Sequence, residues 1–236
     1  MELIVFYEDK DIIVCEKPPG VPSQGDRTQA VDMVSKIKSY LREKHPERGI
    51  PYVAAVHRLD RPVGGIMVFA KTPEAAAAIS RQIQKGQMEK RYLAVICGDF
   101  SGEIGKSTEL CDYLKRDGRT NLSVITNERD AQAKKARLSY RVLEVTEEGK
   151  EPLSLLDIRL FTGRHHQIRV QLSHHLAGIW GDKKYNPVEK ETAEFREIAL
   201  YSWKLSFLHP ATGKKLCFEH RPAGYPFSEF LTVLKE

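Results

Sequence analysis

Cysteine is scarce in this sequence and widely scattered along it. The 236 residues contain four cysteines, at positions 15, 97, 111 and 217, and none of them forms a Cys-x-x-Cys pair. Such scattering argues against a disulfide framework. Because Cys15 and Cys97 stand in apolar, strand-like runs, we expect core thiols and a reducing, cytoplasmic environment.

Long apolar runs and a strong excess of one charge are also missing. No stretch approaches the roughly 20 residues needed to span a bilayer, and the start of the chain lacks a signal-peptide pattern. We therefore expect neither a signal peptide nor a membrane partner. The 37 basic and 32 acidic residues leave a net charge of +5. A balance this mildly basic permits nucleic-acid binding without demonstrating it.

The apolar pattern predicts more strands than helices. The predicted strands cover 12–15, 65–70, 91–97, 137–145, 153–160, 198–208 and 215–219, and the predicted helices cover 30–44, 73–85, 165–176 and 226–234. Residues 101–135 are polar and read as loops and short strands. Because the two element types do not alternate strictly, we predict an α+β fold with a mixed or antiparallel sheet, in one domain over residues 1–236.

The densest chemical signal is the segment His57-Arg58-Leu59-Asp60-Arg61, which is followed by two glycines and an apolar strand. A carboxylate beside guanidinium groups stays ionised and oriented, as a catalytic nucleophile must. Basic neighbours also suit a polyanionic substrate. The alternative is a surface Arg-Asp ion pair beside a turn, and the segment alone does not decide between the two.

A second signal is the segment from Phe161 to Leu172. In a helix, Ile168 and Leu172 continue one apolar stripe with Leu176, and Arg169 lies beside that stripe. Arg164 and the amides at the helix start present positive potential, which suits a phosphate or a carboxylate. The alternative is a solvated basic helix.

The same segment invites a metal interpretation. His165 and His166 precede His174 and His175 by nine residues. Adjacent histidines point to different faces of a helix, and no His-Glu-x-x-His pattern accompanies them. A zinc-dependent hydrolase therefore stays a minor alternative.

A third signal is Lys90-Arg91-Tyr92, where two cations and an aromatic residue open an apolar strand. A tyrosine at a strand end can stack on a nucleobase while neighbouring cations hold phosphate. The alternative is a core tyrosine whose hydroxyl reaches the rim.

Taken in order, these segments resemble the RluA-type pseudouridine synthases, which isomerise uridine in RNA. The resemblance covers nearly the whole chain, with departures at Val63-Gly64, Gln171 and Tyr201-Ser202. The matching blocks are Glu16 to Gly20, His57 to Ala70, Lys90 to Gly98, Thr162 to Leu172, Gly181 to Tyr185 and Leu200 to Pro210. The small S4 RNA-binding domain of many relatives has no matching block, so we expect the catalytic domain to select the substrate.

The resemblance implies a pseudouridine synthase fold, with a cleft across a central sheet that helices flank. It also implies that Asp60 is the essential aspartate, which acts on the ribose by nucleophilic attack or by proton abstraction. Tyr92 matches the tyrosine that stacks on the base, and Arg169 matches the arginine that pairs with the aspartate.

The resemblance further implies RNA as the partner, either ribosomal or transfer RNA. Arg58 matches a residue that enters the RNA when the target uridine flips out, and Leu200 would pack near the flipped base. Arg164 and Lys90 are candidates for phosphate contacts. No metal or other cofactor is expected, because the isomerisation is internal and redox-neutral, and we expect a monomer. The alternative function is a non-catalytic RNA-binding protein that keeps the fold, which the departures from the family pattern motivate.

Overall fold

The computed structural model describes residues 3–25, 30–47, 49–146 and 151–230. The contacts divide the chain into two units. Unit 1 comprises residues 1–89 and 202–220, and unit 2 comprises residues 90–201 and 221–236. The single domain that the sequence predicts stays a prediction.

Strands dominate the described residues. The strands are β1 (Val5–Glu8), β2 (Ile12–Lys17), β3 (Ala54–Ala55), β4 (Gly64–Ala70), β5 (Glu89–Cys97), β6 (Ser107–Asp117), β7 (Leu122–Thr126), β8 (Lys134–Thr146), β9 (Leu153–Leu160), β10 (Leu200–Leu208) and β11 (Lys215–Glu219). The helices are α1 (Met33–Lys44), α2 (Pro73–Gln84), α3 (Gln167–His175) and α4 (Pro187–Glu191), with 3-10 turns at Ser101–Glu103 and Phe227–Phe230.

Unit 1 is built on antiparallel strands. β2 pairs with β1 on one side and with β4 on the other, β3 pairs with β4, and β10 pairs with β11. β4 is buried along its whole length, and its apolar run from Ile66 to Ala70 suits a strand covered on both faces. The core of unit 1 gathers side chains from β2, β4, α2 and β10.

The two longer helices of unit 1 begin at the residue types that the sequence pattern predicts. The Thr72 side chain accepts from the amide of Ala75 at the start of α2, and Pro73 fills the first position. Asp32 caps α1 in the same way, by accepting from Ser35. Because Asp32 is the cap, α1 begins at residue 33 and not at residue 30.

Unit 2 contains a second antiparallel arrangement, in the order β5-β9-β8-β6-β7. Helix α3 packs Val170 against Leu114 of β6 and Ala136 of β8. The predicted α+β fold with a mostly antiparallel sheet is therefore confirmed, and the cleft across it stays a prediction.

Three further predictions differ from the structure. Residues 107–126 form a long hairpin where loops and short strands were expected, because only Leu110 and Leu114 of β6 are buried and the strand looks polar. Helix α3 begins at residue 167 and not at 165, because His166 has a positive φ of 52°. The described part of the predicted helix 226–234 is a 3-10 turn, and its last residues lie outside the described ranges.

Candidate active site

Asp60 lies in a turn just before β4, in unit 1. The amide of Val63 donates to the carbonyl oxygen of Asp60 at 2.9 Å, and the Val63 side chain is buried. Asp60 itself is half-buried, and Arg58 is exposed. The main chain of the turn is thus anchored in the core while its acidic side chain keeps contact with solvent.

Lys17, the last residue of β2, donates hydrogen bonds to this turn and to the segment after β2. Its ammonium group is fully buried and donates to the carbonyl oxygens of Pro18 at 3.0 Å, Val21 at 2.7 Å and Arg61 at 3.0 Å. An ammonium group has three N–H donors, and each of them meets a carbonyl here. Burial lowers the pKa of Lys17 to about 7, while the charge of Asp60 acts in the opposite direction.

Two further pairs of contacts tie the turn to the segment after β2. Arg61 donates its Nε to the carbonyl of Gly20 at 3.0 Å, and the amide of Gly20 donates back to Arg61 at 2.9 Å. The hydroxyl of Ser23 donates to the carbonyl of Leu59 at 2.9 Å and accepts from its amide at 3.1 Å. The main chain on both sides of Asp60 is therefore held by neighbouring backbone.

Gly65, which directly follows the departure at Val63-Gly64, lies close to Ser202 of the departure at Tyr201-Ser202, and both residues belong to unit 1. Gly65 has a φ of 127°, and a Cβ placed there would lie 2.5 Å from the amide nitrogen of Ser202. Only glycine permits this approach. The Ser202 hydroxyl in turn donates to the carbonyl of Ile66 at 3.3 Å. Ser202 thus packs directly against the strand that follows the Asp60 turn.

Tyr92 and Lys90 lie on β5, in unit 2. Both side chains leave the same face of the strand because they are two residues apart. Tyr92 is buried and lies opposite Ile158 of β9. Lys90 is only 9% exposed, and its Nζ lies 3.7 Å from where a Cβ of Gly163 would be. Burial lowers the pKa of Lys90.

Arg169 lies on α3 and is almost fully buried. Its Nε donates to Oδ2 of Asp182 at 2.8 Å, and its Nη2 donates to Oδ1 at 2.6 Å. Two parallel hydrogen bonds of this kind fix the plane of the guanidinium group. The ring of Tyr185 lies 5.2 Å from the guanidinium carbon.

His166 precedes α3 in the left-handed conformation. Its Nδ1 lies 2.8 Å from the hydroxyl of Tyr185, and its ring stacks on that of His165. Burial, with the charge of Arg169 as the second cause, lowers the pKa of His166 to about 2. His166 is therefore neutral at ordinary pH. The hydroxyl of Ser123, in β7, donates to the carbonyl of His165 at 2.6 Å and joins the hairpin to this network.

Arg164 is exposed at the start of the α3 segment. Its Nε donates to the carbonyl of Lys135 at 2.9 Å, and its amide donates to Oε1 of Gln167 at 3.0 Å. The hydroxyl of Thr162 donates to the same Gln167 oxygen at 2.8 Å. Gln167 thus organises the chain before the helix.

The seven predicted site residues are shared between the two units. Arg58 and Asp60 lie in unit 1, and Lys90, Tyr92, Arg164, Arg169 and Leu200 lie in unit 2. Within unit 2, the amine of Lys90 comes close to Gly163, the residue before Arg164. Leu200 is buried at the start of β10. The catalytic and RNA-binding roles of these residues stay predictions.

The four histidines that suggested zinc do not form a ligand cluster in the described ranges. The candidate group found there is Asp9, Asp11 and His209, in unit 1. The Nδ1 of His209 accepts from the amides of Ala211 and Thr212, so its proton is on Nε2, which donates to Asp9 at 2.6 Å. In this tautomer His209 has no lone pair to offer a metal.

Sequence reasoning missed the roles of Lys17, Asp182 and Tyr185. All three stood inside blocks that carried the resemblance, but no function was attached to them. The signal for Lys17 is a lysine that ends an apolar strand before Pro-Pro-Gly. A charge in such a position needs buried acceptors. Asp182 and Tyr185 gave no local signal, because their partners lie 13 and 19 residues away in the sequence.

Comparison with known proteins gives a consistent result. A family model described as RNA pseudouridylate synthase matches residues 11–174. An uncharacterized RNA pseudouridine synthase of Bacillus subtilis is 30% identical over 222 residues, which are 93% of this chain and 69% of the relative. Ribosomal large subunit pseudouridine synthase D of Vibrio cholerae is 32% identical over 255 residues, with 100% of this chain and 72% of the relative covered.

Other matches define the extent of the likeness. Ribosomal large subunit pseudouridine synthase D of Nitrosomonas europaea is 30% identical, and this chain spans 61% of its length. The solved structure of human RNA pseudouridylate synthase domain containing 4 superposes with a TM-score of 0.75 at 22% identity, covering 98% of this chain and 93% of that one. The likeness to this solved structure concerns the fold alone. None of the helices within the described ranges is long and apolar enough to cross a membrane.

Proposed function

The chain belongs to the RNA pseudouridylate synthase family, and we propose that it isomerises specific uridines of ribosomal RNA through Asp60. Transfer RNA is the second candidate substrate. The ribosomal choice is supported by relatives that carry the name ribosomal large subunit pseudouridine synthase D.

The reaction is an isomerisation within one nucleotide. The bond between N1 of uracil and C1′ of ribose breaks, the base turns, and C5 bonds to C1′. The proton on C5 is lost to solvent and N1 gains one, so the reaction needs no oxidant or reductant. The carboxylate of Asp60 acts on the ribose, by attack at C1′ or by removing a ribose proton.

The observation that carries the proposal is the support of Asp60. Three hydrogen bonds hold the main chain around it. The amide of Val63 donates to the carbonyl of Asp60, Lys17 donates to the carbonyl of Arg61, and Ser23 donates to the carbonyl of Leu59. A catalytic carboxylate must be ionised and held in one position, and its half-buried place in a fixed turn suits both needs. A surface ion pair would not need such an anchored backbone.

Two residues of unit 2 complete the chemistry in this proposal. Arg169 pairs with the carboxylate of Asp60 and keeps it ionised, as the family resemblance implies. Tyr92 stacks on the base and assists the loss of the C5 proton. The burial of both side chains supports these roles, because a dry site strengthens every charge interaction within it.

RNA contacts form the last part of the proposal. Arg58, which is exposed beside Asp60, enters the RNA and takes the place of the flipped uridine. Leu200 packs near the flipped base. Lys90 and Arg164 hold phosphate, a role supported by the short distance between the Lys90 amine and Gly163. We further propose that the protein is a monomer and that it is cytoplasmic; the free thiols of all four cysteines suit a reducing compartment.

The test uses unmodified transcripts of large-subunit ribosomal RNA and of transfer RNA, labelled with tritium at C5 of uridine. We expect the wild-type protein to release tritium and form pseudouridine at defined positions. Asp60→Asn should lower the single-turnover rate more than about 1,000-fold, because it removes the reacting group itself. The dissociation constant for RNA should change little.

Asp99→Asn is the matched control, since Asp99 is an exposed acid whose Oδ1 accepts from the amide of Ser101 and lies outside the proposed site. It should react like the wild type. Full activity of Asp60→Asn would overturn the catalytic role. Wild-type protein that binds these transcripts but forms no pseudouridine, on them or on total RNA from cells lacking the gene, would support the non-catalytic alternative.

A further inference from the structure

The guanidinium group of Arg169 is held along one edge by a single carboxylate. Asp182 accepts from Nε and from Nη2, and both members of the pair are buried, with the Asp182 side chain at 0% exposure. A guanidinium group has five N–H donors in one plane. Asp182 accepts from two of them, and the two bonds together set the plane of the group.

Asp182 is itself fixed by the backbone that follows it. Its Oδ1 accepts from the amides of Lys184 at 2.9 Å and Tyr185 at 3.3 Å, in addition to Arg169. The turn before it is equally constrained, because Gly181 has a φ of 77° and a Cβ there would collide with the carbonyl oxygen of Glu197. The carboxylate therefore has one available orientation.

The faces of the guanidinium plane are constrained as well. The Tyr185 ring lies 5.2 Å from the guanidinium carbon, within the range of a cation–π contact. The hydroxyl of Tyr185 is held in turn by His166 and by the amide of Ser123, which donates to it at 2.6 Å. His166 is neutral, so it adds no repulsion. The Asp182 carboxylate on one edge and the Tyr185 ring on one face together restrict the orientation of the Arg169 guanidinium group.

We propose that Asp182 is a positioning residue of the reaction: it fixes the orientation of the Arg169 guanidinium group on which the catalytic role of that arginine depends. This inference rests on the proposed function, in which Arg169 pairs with Asp60. Asp182 acts only through Arg169 and touches neither the ribose nor the base. Its full negative charge also stabilises the buried charge of Arg169.

A merely structural ion pair would behave differently from a positioning pair. Loss of a structural pair lowers stability and leaves the rate of the folded fraction unchanged. Loss of a positioning residue lowers the rate constant at saturating RNA and leaves RNA affinity unchanged, because Arg169 then loses the two hydrogen bonds that orient its guanidinium group. The rate constant and the dissociation constant must therefore be measured separately.

The experiment uses single-turnover tritium release from the ribosomal and transfer RNA transcripts. We expect Asp182→Asn to lower the rate constant about 10- to 100-fold, the usual cost of losing a group that orients a catalytic side chain. The dissociation constant should stay within about threefold of the wild type. Glu189→Gln is the matched control, because Glu189 is an equally buried acid that pairs with Arg196 outside the site. It should leave the rate unchanged.

A second pair of variants keeps the test valid if Asp182→Asn alone does not fold. Arg169→Gln combined with Asp182→Asn removes both charges of this buried pair together, so that neither charge of the pair faces a neutral partner. If Asp182 acts only through Arg169, this double variant and Arg169→Gln alone should react within about threefold of each other.

Each outcome decides the question. A rate loss in Asp182→Asn that disappears in the Arg169→Gln background supports the inference. A wild-type rate in folded Asp182→Asn, or a double variant tenfold slower than Arg169→Gln, overturns it while the proposed function stands. Wild-type protein that forms no pseudouridine overturns the proposed function and this inference together.

Discussion

The turn that carries Asp60 and the helix that carries Arg169 are held in place by different kinds of contact. Around Asp60 the contacts run from Lys17, Ser23 and Arg61 to main-chain carbonyls. Around Arg169 the contacts run between side chains, through Asp182 and Tyr185.

The difference shows how a short acid and a long base are immobilised. An aspartate has two rotatable side-chain bonds, so a fixed backbone leaves its carboxylate only a few positions. An arginine has four, and its side chain carries about 2 kcal/mol of rotamer entropy. Arg169 therefore needs partners at the guanidinium group itself. We expect changes near Asp60 to act through backbone geometry and changes near Arg169 to act through charge and orientation.

The largest test of this comparison is Lys17→Met, which keeps the length of the side chain and removes its three hydrogen bonds. Three carbonyls lose the donor that a fully buried side chain supplied, and we expect the free energy of unfolding to fall by about 2–4 kcal/mol. The single-turnover rate should fall about 10- to 100-fold, because Asp60 is displaced. Urea unfolding and tritium release measure the two effects.

Lys71→Met is the control for this variant, because Lys71 is also in unit 1 and donates to Glu8 at 2.8 Å, in an ion pair, and to the carbonyl of Asp9. It should lose stability without losing rate. Equal rates in the two variants would mean that backbone support of the Asp60 turn does not depend on Lys17.

The second test concerns the charge balance around Arg169. His166 has a pKa of about 2 in the folded protein and about 6.5 when unfolded. The unfolded chain therefore binds more protons below pH 6.5, and stability falls as the pH falls from there. The contribution is up to about 1.4 kcal/mol per pH unit. We expect His166→Asn, which tolerates the left-handed backbone, to flatten the pH dependence of the free energy of unfolding between pH 4.5 and 6.5.

Tyr185→Phe separates burial from hydrogen bonding in this second test. It removes the hydroxyl beside Nδ1 of His166 but leaves the histidine buried, so the steep acid dependence should persist at a lower overall stability. An equally flat profile in both variants would assign the effect to the hydroxyl, against burial as the leading cause of the lowered pKa.

The smallest expected effect is at Lys90, which lies on β5 of unit 2 and is proposed to hold a phosphate of the RNA. If the Lys90 amine contacts one phosphate, Lys90→Gln should reduce the slope of log affinity against log salt by about 0.7 to 1. Affinity should weaken equally for different RNA sequences. Lys106→Gln, at an exposed lysine of the same unit, is the control. An unchanged slope in Lys90→Gln would remove Lys90 from the RNA surface.

Much of the architecture was predictable because its signals are local. Strand β4 is an apolar run after two glycines, and α2 carries its own cap in Thr72 and Pro73. The long hairpin of β6 and β7 was not predictable in this way. Only one of its faces packs against α3, and its outward face has the polar composition of a loop.

The sequence by itself determined the family, the α+β class and the identity of the candidate acid. Ordered blocks such as His57 to Ala70 can be recognised without any knowledge of contacts. Only the tertiary structure decided what supports these groups. The partners of Lys17 at Arg61 and of Arg169 at Asp182 are 44 and 13 residues away. Hydrogen bonds form between atoms that folding brings together, and no local pattern of residue types encodes that distance.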